Sequence, residues 1–458
     1  MTLYRQNSDA GLSPILRPGT TDLLSQNGKL LLEWVETHGS PLHLVSPEAL
    51  GENVRGLTAV LAQNGVDHTI YYGVKVNKSP GLMHAALEAG IGLDVSSFYE
   101  LRDALALGAI GERIVATGPA KTPAFHDALV ACRALISVDS PEELEDLSDR
   151  LPDDGEPQPV LLRLRPSDQA GSRFGMDADQ VLVCLSVIAA DKRFRFDGLH
   201  FHLSGYRWET RAAAIREASR LIREARAIGL APRMIDIGGG LPIRYVDTVA
   251  YRKHIEGQSA ADYRNGKLPS SFYPYGGDIS AADWLQSLLA APMDARRSIA
   301  DYFRDEKLAI ALEPGRALAD QTAISVFRII RVKTLGPDTA VIFVEGSSFS
   351  ACETWFASEF LLDPIVVPAV AMPAAAQPFK AYLAGHSCLD EDVLTNRWLD
   401  FPTAPRAGDL LVYANTAGYQ MDLLENEFHR HPMPKRFRLH HAVGGAPFLT
   451  TDDLEMYL

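Results

Sequence analysis

The chain has 458 residues, of which 47% are hydrophobic and 22% are charged. These values are ordinary for a globular protein with large cores, and the length predicts two domains rather than one. The formal net charge of −14 argues against a nucleic-acid partner, because binding to phosphates relies on Lys and Arg. We therefore expect the ligand to be a small molecule.

The cysteines and the N-terminus predict an intracellular, cytoplasmic protein. The cysteines lie far apart in the chain, without the short spacings of a zinc site or a disulfide framework: Cys132, Cys184, Cys352 and Cys388. The first residues lack the basic segment and apolar core of a secretory signal. Nowhere do about 18 apolar residues follow one another, so we expect no membrane span.

From about residue 45 onward, short apolar runs alternate with stretches of helical periodicity such as Ser97–Leu107 and Thr210–Ala227. This alternation is typical of a parallel sheet wrapped by helices. The predicted strands are His68–Val74, Gly92–Val95, Arg113–Ala116, Leu135–Val138, Val160–Leu164, Phe196–Phe201, Met234–Ile237 and Leu308–Leu312. Eight such units favour a closed (β/α)8 barrel over an open sheet.

After Arg316 the pattern changes to strands separated by turn residues, which predicts a mostly antiparallel second domain. The strands predicted there are Ile324–Thr334, Ala340–Val344, Phe379–Ala384 and Asp409–Tyr413, and Leu42–Val45 could join them. The predicted domains are a barrel over 45–316, with an insertion or lid at about 245–290, and a β domain made of 1–44 and 317–458.

Reactive groups of barrels sit at the C-terminal ends of the strands, where this chain carries several polar residues. Lys75 follows the first strand in YYGVKVNKS, after a buried run in which an unpaired ammonium would be costly, although such a lysine can also extend to water. Strand six ends in GLHFHLSGY, where the alternation places His200 and His202 on one face. No acidic or Cys partner stands at ligand spacing, so we expect a polar or ring-stacking role and no metal.

The last two strand ends add a glycine turn and a carboxylate. Strand seven runs into IDIGGGLP, whose backbone N–H groups can approach an anion, although three glycines can also form a plain tight turn. Strand eight ends in ALEPGRALAD and brings Glu313 and Arg316 to the barrel mouth, where a surface salt bridge is the alternative. The order of these groups on successive strand ends favours one shared active site.

With these motifs in this order, the chain resembles the fold-type III pyridoxal-phosphate (PLP) enzymes, in particular the diaminopimelate, ornithine and arginine decarboxylase group. The resemblance runs from GSPLHLVSPEAL to NTAGYQMDLLENEF. It implies an α/β fold, a PLP-binding TIM barrel of the alanine-racemase type with a mostly antiparallel β-barrel or sandwich domain. It also implies that the chain is a divergent member of this group that acts on a different substrate.

The resemblance gives roles to individual residues. Lys75 in YGVKVN matches the lysine that forms the internal aldimine, Asp94 in GLDVSS matches an acid beside it, and His202 in FHLSG matches the histidine that stacks on the pyridine ring. The other cofactor-binding matches are Arg163 beneath the cofactor, Ser204, Gly238, Gly239, Gly240 and Tyr419 at its phosphate, Glu313 at its ring nitrogen, and Gly315 and Arg316 of the EPGR motif.

Cys388 in GHSCLDED resembles a cysteine that acts across the dimer interface, and it is the candidate proton donor to Cα, whereas taken alone it would be a small core residue. The resemblance implies a homodimer with shared active sites. Substrate binding is expected from Arg316, Cys388, Asp390 and Tyr419.

Three departures from the family pattern concern the phosphate and the substrate. The position of the family's serine holds Gly205, with Ser204 one place early. Leu389 stands where the decarboxylases carry an acid. EGSSFSACETW occupies the region in which diaminopimelate decarboxylases present an Asn and an Arg to the distal end of the substrate.

Three functions remain open. The first is decarboxylation of an α-amino acid with a polar or charged side chain, through a Lys75 aldimine and a quinonoid, and Glu313 favours it because a carboxylate keeps the ring nitrogen protonated. The second is racemisation or epimerisation, although the related alanine racemases place an Arg at that nitrogen. The third is a non-catalytic binding protein, which the presence of Lys75, His202, Glu313 and Tyr419 disfavours.

Overall fold

The computed structural model describes residues 11–370, 379–441 and 445–457, and the chain divides into two compact units. The barrel unit consists of 50–242, 281–318 and 454–457, and the sheet unit consists of the described parts of 11–49, 243–280 and 319–453. None of the helices in the described residues combines the length and the apolarity that a membrane crossing requires.

The strands, in chain order, are β1 Leu42–Val45, β2 His68–Gly73, β3 Gly92–Val95, β4 Ile114–Ala116, β5 Leu135–Val138, β6 Gln158–Arg163, β7 Phe194–His200, β8 Met234–Asp236, β9 Ala309–Leu312, β10 Ala323–Thr334, β11 Thr339–Glu345, β12 Ile365–Val367, β13 Phe379–Ala384, β14 Val393–Phe401, β15 Leu410–Ala414, β16 Lys435–His440 and β17 Phe448–Thr451. The helices are α1 Pro18–Gln26, α2 Gly28–His38, α3 Pro47–Gln63, α4 Pro80–Glu88, α5 Phe98–Ala106, α6 Pro123–Cys132, α7 Pro141–Ser148, α8 Ala178–Ala190, α9 Trp208–Ala227, α10 Thr248–Gly257, α11 Ala281–Ala290, α12 Ile299–Asp305 and α13 Gly315–Leu318.

Strands β2 to β9 close into a parallel barrel in chain order, with β9 paired to β2. Every residue of β3, β5 and β6 is buried, as expected for parallel strands that are covered on both faces. The prediction of an eight-stranded barrel is confirmed, and the predicted strand ends lie within two residues of the observed ones. All strands run in the same direction, so their C-terminal ends meet at one mouth.

The sheet unit contains a mixed sheet in the order β14-β13-β11-β10-β1-β16-β17, with β15 on β10 and β12 on β15. Two pairs, β1–β16 and β11–β13, are parallel and the others are antiparallel, which confirms a mostly antiparallel domain. Helices α1 and α2 pack Leu23, Leu31 and Val35 against Leu44 and Val412 of the sheet, which forms the core of this unit. The sequence had not predicted β12, β14, β16 or β17.

Residues 243–280, predicted as part of an insertion within the barrel domain, group with the sheet unit. The physical reason is pairing with β14: the backbone N–H of Arg264 donates to the carbonyl of Asn396 at 2.8 Å, and Tyr263 forms an isolated bridge with Arg397. The rest of the predicted insertion is helix α11, which belongs to the barrel unit.

Candidate active site

Lys75 lies at the mouth of the barrel, in a single 3-10 turn, Val74–Val76, that directly follows β2. Its Nζ is 2.5 Å from Oδ2 of Asp94, a fully buried residue of the neighbouring strand β3. Burial raises the pKa of Asp94, and the Lys75 ammonium opposes that rise. The Lys75 side chain is 35% exposed, so its amine is held in place and is still accessible.

Asp94 is itself held by Thr117, whose hydroxyl donates to Oδ1 at 2.5 Å. The Thr117 carbonyl accepts a hydrogen bond from Arg163, at the end of β6, at 3.1 Å. Arg163 is buried and also donates to Oδ1 of Asp139 at 3.1 Å. These contacts connect the C-terminal ends of adjacent strands, so the candidate lysine and the candidate cofactor-binding arginine belong to one buried network.

Two histidines and a glutamate form a second group at the same mouth. Nε2 of His200 and Nδ1 of His202 lie 3.4 and 3.5 Å from the Glu313 carboxylate oxygens. The ligand atoms of all three lie within 4.8 Å of one another, as in a metal site. The acidic partner that was absent at ligand spacing in the sequence is thus Glu313, which directly follows β9 and is distant along the chain.

Glu313 carries a negative charge at neutral pH. Burial alone would raise its pKa, but the neighbouring His200, His202 and Lys75 outweigh burial and hold the pKa well below its ordinary range. Asp236, at the end of β8, behaves in the opposite way: burial and the Glu313 charge raise its pKa well above the ordinary value. The two neighbouring carboxyl groups therefore differ in protonation, Asp236 being neutral and Glu313 ionised.

The Glu313 carboxylate fits the ring nitrogen of PLP. Its side chain is 1% exposed, the imidazoles of His200 and His202 lie 3.4 and 3.5 Å away without good hydrogen-bonding geometry, and Asp236 is a further polar neighbour. A buried acceptor of this kind calls for a donor, and a protonated pyridine nitrogen would provide one.

The glycine turn fits a phosphate. Gly238 and Gly240 have φ of +66° and +83°, and a Cβ on Gly239 would lie only 2.5 Å from the carbonyl oxygen of Glu313. The Gly238 N–H donates to Oδ1 of Asp236 at 2.9 Å and the Gly239 N–H donates to Nδ1 of His202 at 3.4 Å, so a bound anion would compete with these two acceptors. The absence of side chains on the turn itself allows an anion to approach its backbone closely.

Arg211 is a site residue that the sequence reasoning missed. It lies on α9, is fully buried, and its Nη2 donates to the carbonyls of Leu203 at 2.8 Å and Gly239 at 3.2 Å. Burial lowers its pKa to about 10. The available signal was an arginine on the apolar face of a helix that begins shortly after the His motif.

A buried ion pair beneath Arg163 was missed as well. Nζ of Lys121 lies 2.7 Å from Glu143, and the other Glu143 oxygen accepts the backbone N–H of Asp139 at 2.7 Å. Since Asp139 binds Arg163, this pair supports the network from below. A charge at each of these positions is unremarkable in a sequence, and only the fold shows that the Lys121 side chain has no exposed surface.

The remaining candidates have varied surroundings. Ser204 is exposed, and its carbonyl accepts from Arg211 at 3.5 Å. Gly315 and Arg316 begin the short helix α13 directly after Glu313 and Pro314. The barrel mouth thus unites the Lys75, Arg163, His202, Glu313 and glycine groups.

Cys388, Asp390 and Tyr419 belong to the sheet unit. The Asp390 carboxylate is 92% exposed and lies 3.9 Å from Arg264, whereas Tyr419 has a φ of +81°. Cys388 is exposed, and its Sγ lies 3.0 Å from Nε2 of His429.

Comparison with known proteins identifies relatives along almost the entire chain. The model of the family described as "Pyridoxal-dependent decarboxylase, pyridoxal binding domain" matches residues 51–264. The chain is 65% identical to the uncharacterized protein y4yA of Sinorhizobium fredii, over 99% of both chains. It is 23% identical to the diaminopimelate decarboxylase of Zymomonas mobilis, over 86% of this chain and 88% of that one.

Comparison with solved structures shows that the fold is also shared with known proteins. The crystal structure of diaminopimelate decarboxylase from Helicobacter pylori complexed with L-lysine has a TM-score of 0.71 at 16% identity, over 93% of this chain and 97% of that one. The two proteins share the barrel and the second β domain. The family match over the barrel and the relatives along the chain show that the chain belongs to the pyridoxal-dependent amino-acid decarboxylases.

Proposed function

We propose that the enzyme decarboxylates an α-amino acid with a polar or charged side chain, with Lys75 carrying the cofactor. The observation that carries the proposal is the buried Glu313 carboxylate, which faces His200 and His202 at the mouth that also holds Lys75. A carboxylate at the ring nitrogen favours decarboxylation over racemisation, because it keeps that nitrogen protonated. The relatives named for diaminopimelate, whose side chain is charged, support a polar substrate.

The residues of the barrel have separate tasks in this proposal. Lys75 would hold the cofactor covalently and yield it to the substrate amine, which divides a difficult step into easier ones. Asp94 orients the Lys75 amine through the 2.5 Å contact. His202 would lie on the ring, and the glycine turn at 238–240 would lie against the phosphate. When bound, pyridoxal phosphate supplies the electron sink that takes up the pair left at Cα as carbon dioxide leaves.

After carbon dioxide leaves, Cα needs a proton, and we propose Cys388 as its donor. Cys388 and Tyr419 belong to the sheet unit, so we also propose a homodimer in which the two chains share their active sites. Two variants, one inactive and one slow, test this directly. Mixed after unfolding and refolding, Lys75→Ala and Cys388→Ala chains should regain up to about a quarter of wild-type activity if sites are shared, because one site of each mixed dimer is intact. No regain would contradict shared sites.

The first experiment is an absorbance titration of the purified protein with PLP, followed by a screen of L- and D-amino acids for carbon dioxide and amine products. We expect a visible band that requires Lys75 and is absent from Lys75→Ala. Carbon dioxide release from a polar or charged amino acid would support the substrate class. Release only from apolar amino acids would contradict it, and turnover without carbon dioxide would contradict the reaction.

A further inference from the structure

Cys388 has a partner in its own unit that the decarboxylase motifs do not include. Its Sγ lies 3.0 Å from Nε2 of His429. The other three cysteines differ from it: burial raises the pKa of Cys184 to about 11 and of Cys352 to about 12, and it also raises the pKa of the half-buried Cys132. Cys388 is the one exposed thiol of the chain, and it faces an imidazole.

The backbone at His429 adopts an uncommon conformation next to Cys388. His429 and Arg430 have φ of +59° and +63°, and two successive non-glycine residues seldom adopt this left-handed region. Strain of this kind persists only where the surrounding structure enforces it, and it is concentrated at functional sites.

Aromatic stacking fixes the imidazole ring as well. The Phe428 ring stacks on His429 with centroids 4.1 Å apart, and Phe428 meets the edge of Phe349 at 6.3 Å. Phe349 in turn stacks on Trp355 at 5.0 Å, and the Trp355 indole N–H donates to Ser348 at 2.9 Å. A chain of packed rings thus supports an exposed histidine, which would otherwise sample many rotamers.

We propose that His429 is a positioning residue that returns a proton to Cys388 after each turnover, an inference that rests on the proposed role of Cys388. The Cys388 S–H bond breaks as its proton passes to Cα, and the electron pair stays on sulfur. The protonated Nε2 of His429 then gives its proton to Sγ, and solvent water reprotonates the exposed imidazole. The reaction consumes one solvent proton per amine formed, and the relay supplies it.

A neighbouring histidine provides a matched control. The His431 ring centroid is 6.3 Å from that of His429, and His431 stacks on His386 at 3.9 Å. His386 accepts the backbone N–H of Gly346 through Nδ1. His431 thus shares the loop, the exposure and the chemistry of His429 but has no hydrogen bond to Cys388 among the described contacts.

The test combines two measurements on the holoenzyme. In the first, iodoacetamide alkylation of Cys388 is followed by peptide mass spectrometry without substrate. His429→Ala should slow alkylation by about tenfold, since the protonated imidazole that the relay requires would stabilise the reactive thiolate, and His431→Ala should leave it unchanged. In the second, turnover of His429→Ala should fall by about a hundredfold and be restored by added imidazole, which can reach this exposed site.

The outcomes separate the relay from the function on which it rests. Wild-type alkylation in His429→Ala, or a loss of turnover that imidazole does not restore, would overturn the relay and leave a packing role only. Cys388→Ala distinguishes the two proposals: slow turnover there with normal turnover in His429→Ala refutes the relay alone. Normal turnover with clean amine product in Cys388→Ala refutes the proton-donor role of Cys388, and the relay fails with it.

Discussion

Replacing Lys121 by Met should destabilise the barrel unit by about 3–5 kcal/mol, because it leaves a buried carboxylate without its cation. The Lys121 ammonium donates to Glu143 at 2.7 Å and to the carbonyls of Ser137 and Gly118 at 2.7 and 2.8 Å. Neither side chain of the ion pair is more than 9% exposed. Methionine preserves most of the aliphatic stem, so little of the loss would come from a cavity.

The control is an exposed ion pair of nearly the same length in the same unit. Arg150 and Asp127 are 2.8 Å apart, with 29% and 61% of their side chains exposed. Arg150→Met should cost no more than about 1 kcal/mol, since solvent screens such pairs. The double variant Lys121→Met/Glu143→Gln should recover part of the loss, because it also removes the carboxylate's charge.

Hydrogen exchange of the amides in β5 and β6, read by mass spectrometry, reports the opening of the barrel unit separately from the sheet unit. A loss in Lys121→Met no larger than in Arg150→Met would refute the reasoning. A second readout follows from the contact between Glu143 and Asp139, which supports Arg163. The affinity for PLP should fall in Lys121→Met and stay unchanged in Arg150→Met.

Three further predictions concern single side chains. Glu313→Gln should lower carbon dioxide release by about 10²–10³-fold while PLP still binds Lys75 in an absorbance titration, and near-normal activity would contradict the role of its charge. Arg211→Met removes the donors to Leu203 and Gly239, so the affinity for PLP, measured by titration, should fall by roughly tenfold. Burial lowers the pKa of His254 to about 4, so the unfolded chain takes up a proton first and stability is lost as the pH falls from about 6.5 to 4. His254→Gln should flatten that loss, by at most about 2 kcal/mol, in thermal unfolding at pH 7.5 and 5, and an unchanged profile would count against it.

The barrel could be predicted from the sequence because parallel strands buried on both faces form continuous apolar runs. The position of Lys75 followed for the same reason, since it directly succeeds such a run. Strand β14 could not be found this way: it alternates in burial only over part of its length, VLTNRWLDF, and includes a buried Arg397 paired with Asp363 at 2.8 Å. Local pattern does not indicate which charged residues find a buried partner.

The site was predictable where it lies on strand ends and unpredictable where it depends on contacts between strands. His200 and His202 share a face by alternation, but their contact with Glu313 needs the closure of the barrel. The sequence of α9 does not show that Arg211 contacts the glycine turn, because the hydrogen bond to the Gly239 carbonyl forms only when the helix packs against that turn. The grouping of 243–280 with the sheet unit likewise depends on pairing between Arg264 and Asn396, which are far apart in the chain.

The charged groups of the barrel mouth leave one carboxylate, that of Glu313, without a Lys or Arg partner within 3.1 Å. The network contains three cations and four carboxylates. The cations are Lys75, Lys121 and Arg163, and the carboxylates are Asp94, Asp139, Glu143 and Glu313. Asp236 is not counted, because its raised pKa keeps it neutral. Three of the carboxylates each have a cation within 3.1 Å, whereas Glu313 faces two histidines at 3.4 and 3.5 Å. These neighbours, together with Lys75, favour the ionised form of Glu313, because they hold its pKa well below the ordinary range. Glu313→Gln should therefore lose this stabilisation and lower the free energy of unfolding of the cofactor-free protein at neutral pH, and it should also weaken catalysis.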